Sequence, residues 1–337
     1  MNSGKQIVIG VDGGGTRLRA AIATEEGELL GIAEAGSGNY HDVGADEVRT
    51  NLGRAVSHAW ADSGIKPRRA DAIFLGLGSI VTEEDQDVIR TVVRELEIAP
   101  DDRIGVDHDL RVGLAGGLAG QPGIVLIAGT GSSCYGRNDQ GQTWQAGGWG
   151  PILDDPGSSY WLGLQAMIAS VRAHDGRGPD TILRSRVMTE LGLSNIREIL
   201  RRVELTGMKR CEIAALAPLV TESAACGDGV AHSLMERGAD ELALMIETVA
   251  NRLGFGQTNQ ASVVVTGGLT NSGEVFFGPL RRSMQRRAPE ACIIDSQLPP
   301  VLGGVLLALE MVHVPASSTL VERLAAGHSR RHEQCVA

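Results

Sequence analysis

The sequence has no long apolar run, no basic tract and no closely spaced pair of cysteines. Its apolar stretches fall short of the roughly 20 residues that span a bilayer, and the opening MNSGKQIVIG lacks the basic-then-apolar layout of a signal peptide. Lys and Arg are dispersed along a chain of formal net charge -10, so the composition carries no electrostatic signature of nucleic-acid binding. We therefore expect a cytoplasmic protein with neither a membrane nor a nucleic-acid partner.

The cysteines and histidines form no metal-binding pattern. The eight histidines include neither H-x-x-x-H nor H-E-x-x-H, and we interpret them as surface or structural residues. The five cysteines show no C-x-x-C pair and no zinc spacing, which favours reduced thiols: Cys134, Cys211, Cys226, Cys292 and Cys335.

Two common nucleotide-binding motifs are also missing. No G-x-x-x-x-G-K-[ST] occurs, so the chain has no P-loop lysine. The segment GTGSSC lacks the third glycine of G-x-G-x-x-G, and the residues after it alternate like a strand. These absences exclude the P-loop and Rossmann classes.

The patterns that are present predict an α/β protein of about two domains within 337 residues. Short apolar runs predict three hairpin-connected strands, and the helical and strand patterns that follow complete a βββαβαβα order. The predicted elements are strands 6–10, 17–23 and 28–34, a helix within 45–64, strand 71–78, helix 83–97, strand 104–107 and a helix from 109.

The same order restarts at GIVLIAGTGSSCYG, which indicates an internal repeat. The second copy contains a helical region of about 158–258, a strand in ASVVVTGGLT, a helix near 273–287, the strand ACIID and a helix of about 302–313. We predict domains at 1–117 and 118–301, with a C-terminal helix of about 302–325 packing back on the first. Two such domains facing each other would form a cleft. The tail AAGHSRRHEQCVA is polar and aperiodic, and we expect it to be frayed.

Glycines follow an apolar strand at three places: Asp12-Gly13-Gly14-Gly15-Thr16, Gly129-Thr130-Gly131-Ser132 and Thr266-Gly267-Gly268. One such turn is equally a plain hairpin turn. Because two of the three occupy equivalent positions in the repeat and the third opens a helix, we interpret them as turns whose N–H groups bind nucleotide phosphates.

These motifs resemble a known superfamily. They are GVDGGGTRLRAAI, HDLRVGLAGG, GIVLIAGTGSSCYG, GGWGPILDDPGSSYWLG, VVVTGGLT and LPPVLGGVLLALE. The chain is similar over residues 5–314 to the actin/hexokinase/heat-shock-seventy ATPases, and within them to the N-acetylglucosamine kinases of the BadF/BadG/BcrA/BcrD ATPase family. The resemblance implies two duplicated ribonuclease-H-like (actin-like ATPase) domains around a central cleft, with ATP and Mg²⁺ as cofactors. We also expect a homodimer.

The resemblance assigns the nucleotide side. By this resemblance, the phosphates are bound by Gly13, Gly14, Gly15 and Thr16 in the first turn and by Gly129, Thr130 and Gly131 in the second. Gly267 and Gly268 are expected to approach the adenosine. A carboxylate beside phosphates is repulsive without a cation, so Asp12 is expected to hold Mg²⁺ directly or through water. The alternative is that Asp12 caps its own turn.

Phosphoryl transfer to a sugar also needs an acceptor for the hydroxyl proton. Asp109, after the strand IGVD, occupies the position of the catalytic aspartate in the resembled kinases. A helix N-cap is the alternative role for Asp109, and Asp107 is the competing base. The expected sugar-binding residues are Asn39, Gly78, Gly147, Gly148, Trp149 and Asp155, of which Asn39 has loop turning as its alternative role.

The expected activity is ATP-dependent phosphorylation of N-acetylglucosamine or of a relative such as glucosamine or N-acetylmuramic acid. The 6-hydroxyl is the first candidate for the phosphorylated group. Two departures bear on the sugar: the family's Asp-Glu-Gly-Ser is Asp155-Pro156-Gly157-Ser158 here, and Gly78 stands where a serine is common. An ATPase that activates a partner reductase would need closely spaced cluster cysteines. A sugar-sensing regulator would need a DNA-binding extension before the first strand.

Overall fold

The computed structural model describes residues 5–256 and 260–336. The chain divides into two compact units, Met1–Gln121 with Asp295–Ala337, and Pro122–Ile294. Residues 118–121 and 295–301, which the sequence assigned to the second domain, thus group with the first unit. The end of the predicted helical region at 257–258 lies outside the described residues.

The strands are β1 Ile7–Gly13, β2 Leu18–Thr24, β3 Leu29–Ala35, β4 Ala72–Leu77, β5 Ile104–Asp107, β6 Gly123–Ala128, β7 Ser132–Arg137, β8 Thr143–Gly147, β9 Ala261–Thr266 and β10 Ala291–Ile293. The helices are α1 Tyr40–Val43, α2 Ala45–Ser63, α3 Glu83–Glu95, α4 Asp109–Gly117, α5 Ser159–His174, α6 Leu183–Glu190, α7 Glu198–Leu200, α8 Arg210–Ala214, α9 Ala217–Ala225, α10 Gly229–Leu253, α11 Glu274–Arg287, α12 Pro300–Met311 and α13 Ser318–Val336.

Both units contain a five-stranded mixed sheet of the same topology. The first has the order β3-β2-β1-β4-β5 and the second the order β10-β9-β6-β7-β8. In each, three antiparallel strands come first in the chain. A fourth strand then pairs in parallel with the first, and a fifth pairs in parallel with the fourth. The predicted α/β class and the duplication of the βββαβαβα pattern are therefore confirmed.

The central strand of the first sheet is buried on both faces, as its unbroken apolar run requires. Ile7, Ile9 and Val11 pack in one core with residues of α2 and α3, while Val8 packs in the other core with residues of α12. β1 continues to Gly13, beyond the predicted end at residue 10, because its pairing with β2 extends to Gly13 opposite Leu18.

Helix α12 lies directly against this sheet and against α4. A Cβ atom on Gly10 would come within 2.2 Å of the Val305 nitrogen, and one on Gly303 within 2.0 Å of the Val112 oxygen. Side chains at these positions would push the helix away, so the glycine pair of LPPVLGGVLLALE serves close packing. This packing fixes α4, the helix that begins with Asp109.

In the second unit, the helices between β8 and β9 pack around the buried face of β6. Ile124 and Leu126 share a core with Leu162 of α5 and Ile246 of α10. The short helix α8 lies close to α5, since a Cβ on Gly163 would be 2.0 Å from the Ile213 oxygen.

The C-terminal region differs from the prediction in two ways. The expected helix 302–325 is two helices, because α12 stops before His313, which adopts a left-handed φ of 64°, and Val314 N–H returns to the Leu309 oxygen at 3.0 Å. The tail expected to be frayed is helical to Val336. Apolar positions at helical spacing, Leu320, Val321 and Leu324, bury that helix in the first unit's core. Among the described residues, no helix is long and apolar enough to cross a membrane.

Candidate functional site

The first glycine turn presents backbone N–H groups that are free to bind an anion. Gly14 N–H donates to the Arg17 oxygen at 3.0 Å and closes the turn. Among the described residues, the N–H groups of Gly15 and Thr16 have no acceptor, and both residues are exposed. A Cβ on Gly14 would contact nothing within 4 Å, so the turn opens into free space. Such a turn suits a phosphate group.

Two carboxylates lie near this turn in the first unit. Burial, and then the charge of Asp109, raise the pKa of Asp12 to about 7. Burial also raises the pKa of Asp109 to about 6, although the N–H groups of Leu110 and of Asp109 itself hydrogen-bond its carboxylate. Both charges are therefore costly in the absence of a cation, and Asp109 has the basicity of a proton acceptor working near neutral pH.

Asp109 adjoins the first turn through Gly78. The Gly78 N–H donates to the Gly13 oxygen at 2.8 Å, and a Cβ on Gly78 would lie 3.1 Å from Asp109 Oδ2. Because residue 78 has no side chain, the space beside that carboxylate oxygen stays open. A serine in its place would stand against the carboxylate.

Asp107, the competing base, is engaged elsewhere. Its Oδ1 accepts the His108 N–H and its Oδ2 accepts Arg111 Nη1, each at 2.8 Å. Both carboxylate oxygens of Asp107 already accept hydrogen bonds within the chain, so the arrangement favours Asp109 as the base.

Asn39 lies next to the same turn. The N–H of its neighbour Gly38 donates to the Gly14 oxygen at 3.0 Å. Asn39 Oδ1 caps the short helix α1 by accepting the His41 N–H at 3.1 Å, so the loop-turning role is present. Its Nδ2 donates to no described residue.

A hydrogen-bond network anchors this loop, and sequence reasoning missed it. The Tyr40 hydroxyl donates to Asp85 Oδ1, and His41 Nε2 lies 3.1 Å from the Ser79 oxygen. Asp85 Oδ2 accepts the N–H groups of Val81 and Thr82 at 2.8 and 2.7 Å. Asp85 thereby joins the Asn39 loop to the segment that follows Gly78. Only the capping pattern of Thr82 and Asp85 at the start of α3 could have indicated it.

The second unit repeats the turn chemistry. Gly129 N–H donates to the Gly131 oxygen at 2.9 Å, while the N–H groups of Thr130 and Gly131 find no acceptor in the described part of the chain. The start of α5 holds the turn from behind, with Ser159 N–H on the Gly129 oxygen at 2.8 Å and Tyr160 N–H on the Thr130 oxygen at 3.2 Å.

The third glycine signal joins this second turn. Gly267 has a φ of +109°, and a Cβ there would lie 2.4 Å from the Ala128 oxygen. Gly129 is close to Gly267 as well, since a Cβ built on Gly129 would lie 3.8 Å from the Gly267 Cα. Two of the three predicted glycine elements therefore meet at one edge of the second sheet, and the first belongs to the other unit.

The predicted sugar-side segment of the second unit has an exposed tip and a buried end. Gly147 pairs with Ser133, Gly148 follows it, and Trp149 is 74% exposed. Asp155, at the other end, is 2% exposed. Its Oδ1 accepts the Ser132 N–H at 3.1 Å and its Oδ2 accepts Arg210 Nη2 at 2.5 Å. Burial raises the pKa of Asp155, although the contacts with Ser132 and Arg210 act to lower it.

The side chains at this site could bind a metal ion only together with ligands from outside the chain. No group of three His, Cys, Asp or Glu side chains that could hold a metal occurs among the described residues. Asp12, costly to ionise beside Asp109, is the carboxylate that a divalent cation would stabilise, with phosphate oxygens and water completing the coordination.

Comparison with known proteins places the chain in a family. Residues 9–308 match the BadF/BadG/BcrA/BcrD ATPase family. The chain belongs to that family. As a family member it is an ATP-using protein, and the predicted resemblance is confirmed.

Individual relatives of this ATPase-family chain are sugar kinases. It is 30% identical over 301 residues to the N-acetylmuramic acid/N-acetylglucosamine kinase of Clostridium acetobutylicum, covering 89% of this chain and 97% of that one. It is 29% identical over 314 residues to the N-acetyl-D-glucosamine kinase of Dictyostelium discoideum, covering 90% and 98%. A provisionally named N-acetylglucosamine kinase structure from Chromobacterium violaceum matches with a TM-score of 0.72 at 27% identity, covering 91% and 99%. The predictions of an enzyme similar to these kinases and of their actin-like ATPase fold are confirmed.

Proposed function

We propose that the protein is an ATP-dependent sugar kinase that phosphorylates an amino sugar, with the 6-hydroxyl of N-acetylglucosamine as the first candidate acceptor. One observation carries the proposal. The first unit holds a basic carboxylate, Asp109, against the side-chain-free Gly78, which is itself hydrogen-bonded to the anion-binding turn at Gly13. Phosphoryl transfer to a hydroxyl needs a proton acceptor near a phosphate-binding turn, and Gly78 adjoins both here.

In this mechanism, each residue has a separate role. Asp109 Oδ2 accepts the proton of the attacking sugar hydroxyl as its oxygen bonds to the γ-phosphorus of ATP. The bond from that phosphorus to the β,γ-bridging oxygen breaks, and ADP leaves with the bridging oxygen. Asn39 Nδ2 donates a hydrogen bond to a sugar oxygen, and the open space at Gly78 admits the hydroxyl to the carboxylate. The exposed face of Trp149, together with Gly147 and Gly148, offers apolar surface and close backbone approach to the sugar ring.

In each unit the glycine turn binds phosphate through its free N–H groups, which are those of Gly15 and Thr16 in the first unit and those of Thr130 and Gly131 in the second. Gly267 and Gly268 approach the adenosine. Asp12 would hold Mg²⁺ directly or through water, and the cation supplies neutralisation of the charge that develops on the phosphates.

The test is a coupled assay of ADP formation with a panel of sugars. The panel contains N-acetylglucosamine, N-acetylmuramic acid, glucosamine, N-acetylmannosamine and glucose, and magnetic resonance of the product identifies the phosphorylated hydroxyl. We expect sugar-dependent ADP formation with at least one amino sugar, and phosphorylation at the 6-position. ATP hydrolysis that no sugar accelerates would reject the kinase proposal and favour the activator class.

A further inference from the structure

The Asp155–Arg210 ion pair lies directly against the second phosphate turn. A Cβ on Gly131 would be 2.5 Å from Arg210 Nη2 and 2.9 Å from Asp155 Oδ1. The Asp155 side chain is buried, at 3% exposed, whereas the Arg210 side chain is 43% exposed. Open positive charge therefore borders the turn whose Thr130 and Gly131 N–H groups have no acceptor among the described residues.

The helices of the second unit carry Arg210 to this place. α5 begins on the carbonyl groups of the turn, through Ser159 on Gly129 and Tyr160 on Thr130. α8 packs on α5 at Gly163, and Arg210 is the first residue of α8. Some 80 residues separate Arg210 from the turn along the chain, and no motif predicts the contact.

Most of the guanidinium's hydrogen-bonding capacity is unused. Arg210 has five N–H donors, and its only partner among the described residues is Asp155 Oδ2. Asp155 in turn accepts the Ser132 N–H at 3.1 Å, which ties the ion pair to the strand that leaves the turn. The carboxylate thus orients the guanidinium while leaving several donors for a second anion.

We propose that Arg210 binds the phosphates of the nucleotide at the Gly129–Gly131 turn, with Asp155 as the positioning residue that holds its guanidinium there. The proposal rests on the proposed function for the identity of the nucleotide as ATP. It gives Asp155 a positioning role beside the second turn, in addition to the sugar contact that the resemblance implied. Arg210 supplies the positive charge that a P-loop lysine supplies elsewhere.

The charges give this proposal a distinctive consequence. Arg210→Gln removes the cation and leaves the Asp155 carboxylate unpaired beside the turn, where it repels phosphate. Removing that carboxylate as well, with Asp155→Asn, removes the repulsion. The double variant is therefore expected to bind ATP more tightly than Arg210→Gln alone. If Arg210 only braced the turn through Asp155, the second substitution would restore nothing.

The experiment is calorimetric titration of ATP, ADP and adenosine without sugar into the wild type, Arg210→Gln, the double variant and Arg172→Gln. Arg172 is a matched control, since it is an exposed arginine of the same unit that forms no ion pair with any described residue. We expect Arg210→Gln to weaken ATP and ADP binding about 10- to 100-fold, the range of a lost charge-assisted hydrogen bond, and to leave adenosine unchanged. The double variant should recover several-fold.

Equal ATP affinity in Arg210→Gln and Arg172→Gln would overturn the proposal, as would a parallel loss for adenosine or a double variant no better than Arg210→Gln. Circular dichroism of each variant identifies any that is unfolded, and the double variant, which buries no unpaired charge, keeps the test decisive if Arg210→Gln is unstable. A wild type that binds no ATP would also reject it. Because no sugar is present, a failure of the kinase proposal in the sugar panel leaves these outcomes unaffected.

Discussion

Replacing Asp109 by Asn separates the catalytic role of this carboxylate from its structural cost. The amide keeps the shape of the side chain but accepts no proton. If Asp109 is the general base, the rate of sugar phosphorylation should fall about 100-fold or more, the upper part of the usual range for such a group. ATP binding should persist, because the free N–H groups of Gly15 and Thr16 are untouched.

The same substitution should stabilise the fold. Burial raises the pKa of Asp109 from 3.8 to about 6, which corresponds to a cost of about 3 kcal/mol for the ionised form in the native state at neutral pH. The native chain binds more protons than the unfolded chain between about pH 4 and 6, so wild-type stability falls as the pH rises through that range. Because Asn loses the favourable carboxylate contact at the start of α4, we expect a net gain of about 1 to 3 kcal/mol at pH 7.5.

Urea unfolding in EDTA at pH 5 and 7.5, together with initial rates, checks both effects. The stabilisation should be smaller at pH 5, where the native carboxyl is largely protonated. Asp107→Asn is the control, since its carboxylate is paired with Arg111 at 2.8 Å and its loss should change stability by less than about 1 kcal/mol. An Asp109→Asn protein that is less stable than the wild type at pH 7.5, or that phosphorylates sugar at the wild-type rate, would refute the reasoning.

Two further substitutions test the rest of the first unit. Gly14→Val places a branched side chain in open space beside the turn, so ATP affinity measured by calorimetry should fall about tenfold or more with little change in stability, and unchanged affinity would remove Gly14 from the site. Asp85→Asn tests the network under the Asn39 loop. Burial alone would raise the pKa of Asp85, but hydrogen bonds from Tyr40, Val81 and Thr82 lower it to about 2, so the carboxylate adds about 2 kcal/mol above pH 4 that is lost as the pH falls towards 2. Urea unfolding should show the variant less stable than the wild type by about that amount at pH 7 and the two converging in acid; a constant difference would contradict the assignment.

The local signals in the sequence determined the elements and their order. Apolar runs ending in glycine predicted β1, β6 and β9, since a buried strand needs a continuous apolar stretch and a phosphate turn needs residues without side chains. The repetition of that pattern predicted the duplicated sheets. Aspartates at strand ends were visible as candidates, because polar residues there stand out against the apolar run.

Contacts between distant segments were decided only by the tertiary structure. The spacing of Asp107 and Asp109 makes both plausible bases, and it is the pairing of Asp107 with Arg111 and the contact of Asp109 with Gly78 that distinguish them. The helix in the polar tail is not evident from the sequence, because only one of its faces is buried. That face packs against residues some 290 positions earlier, such as Leu29.

Arg210 is the clearest case of a residue that the sequence alone could not place. It lies in a helical segment without motifs, and only the packing of α8 on α5 brings it to Gly131. Local propensity acts over a few residues, whereas the position of a side chain such as Arg210 depends on how whole helices pack, so the turns were visible in the sequence and the charge beside them was not.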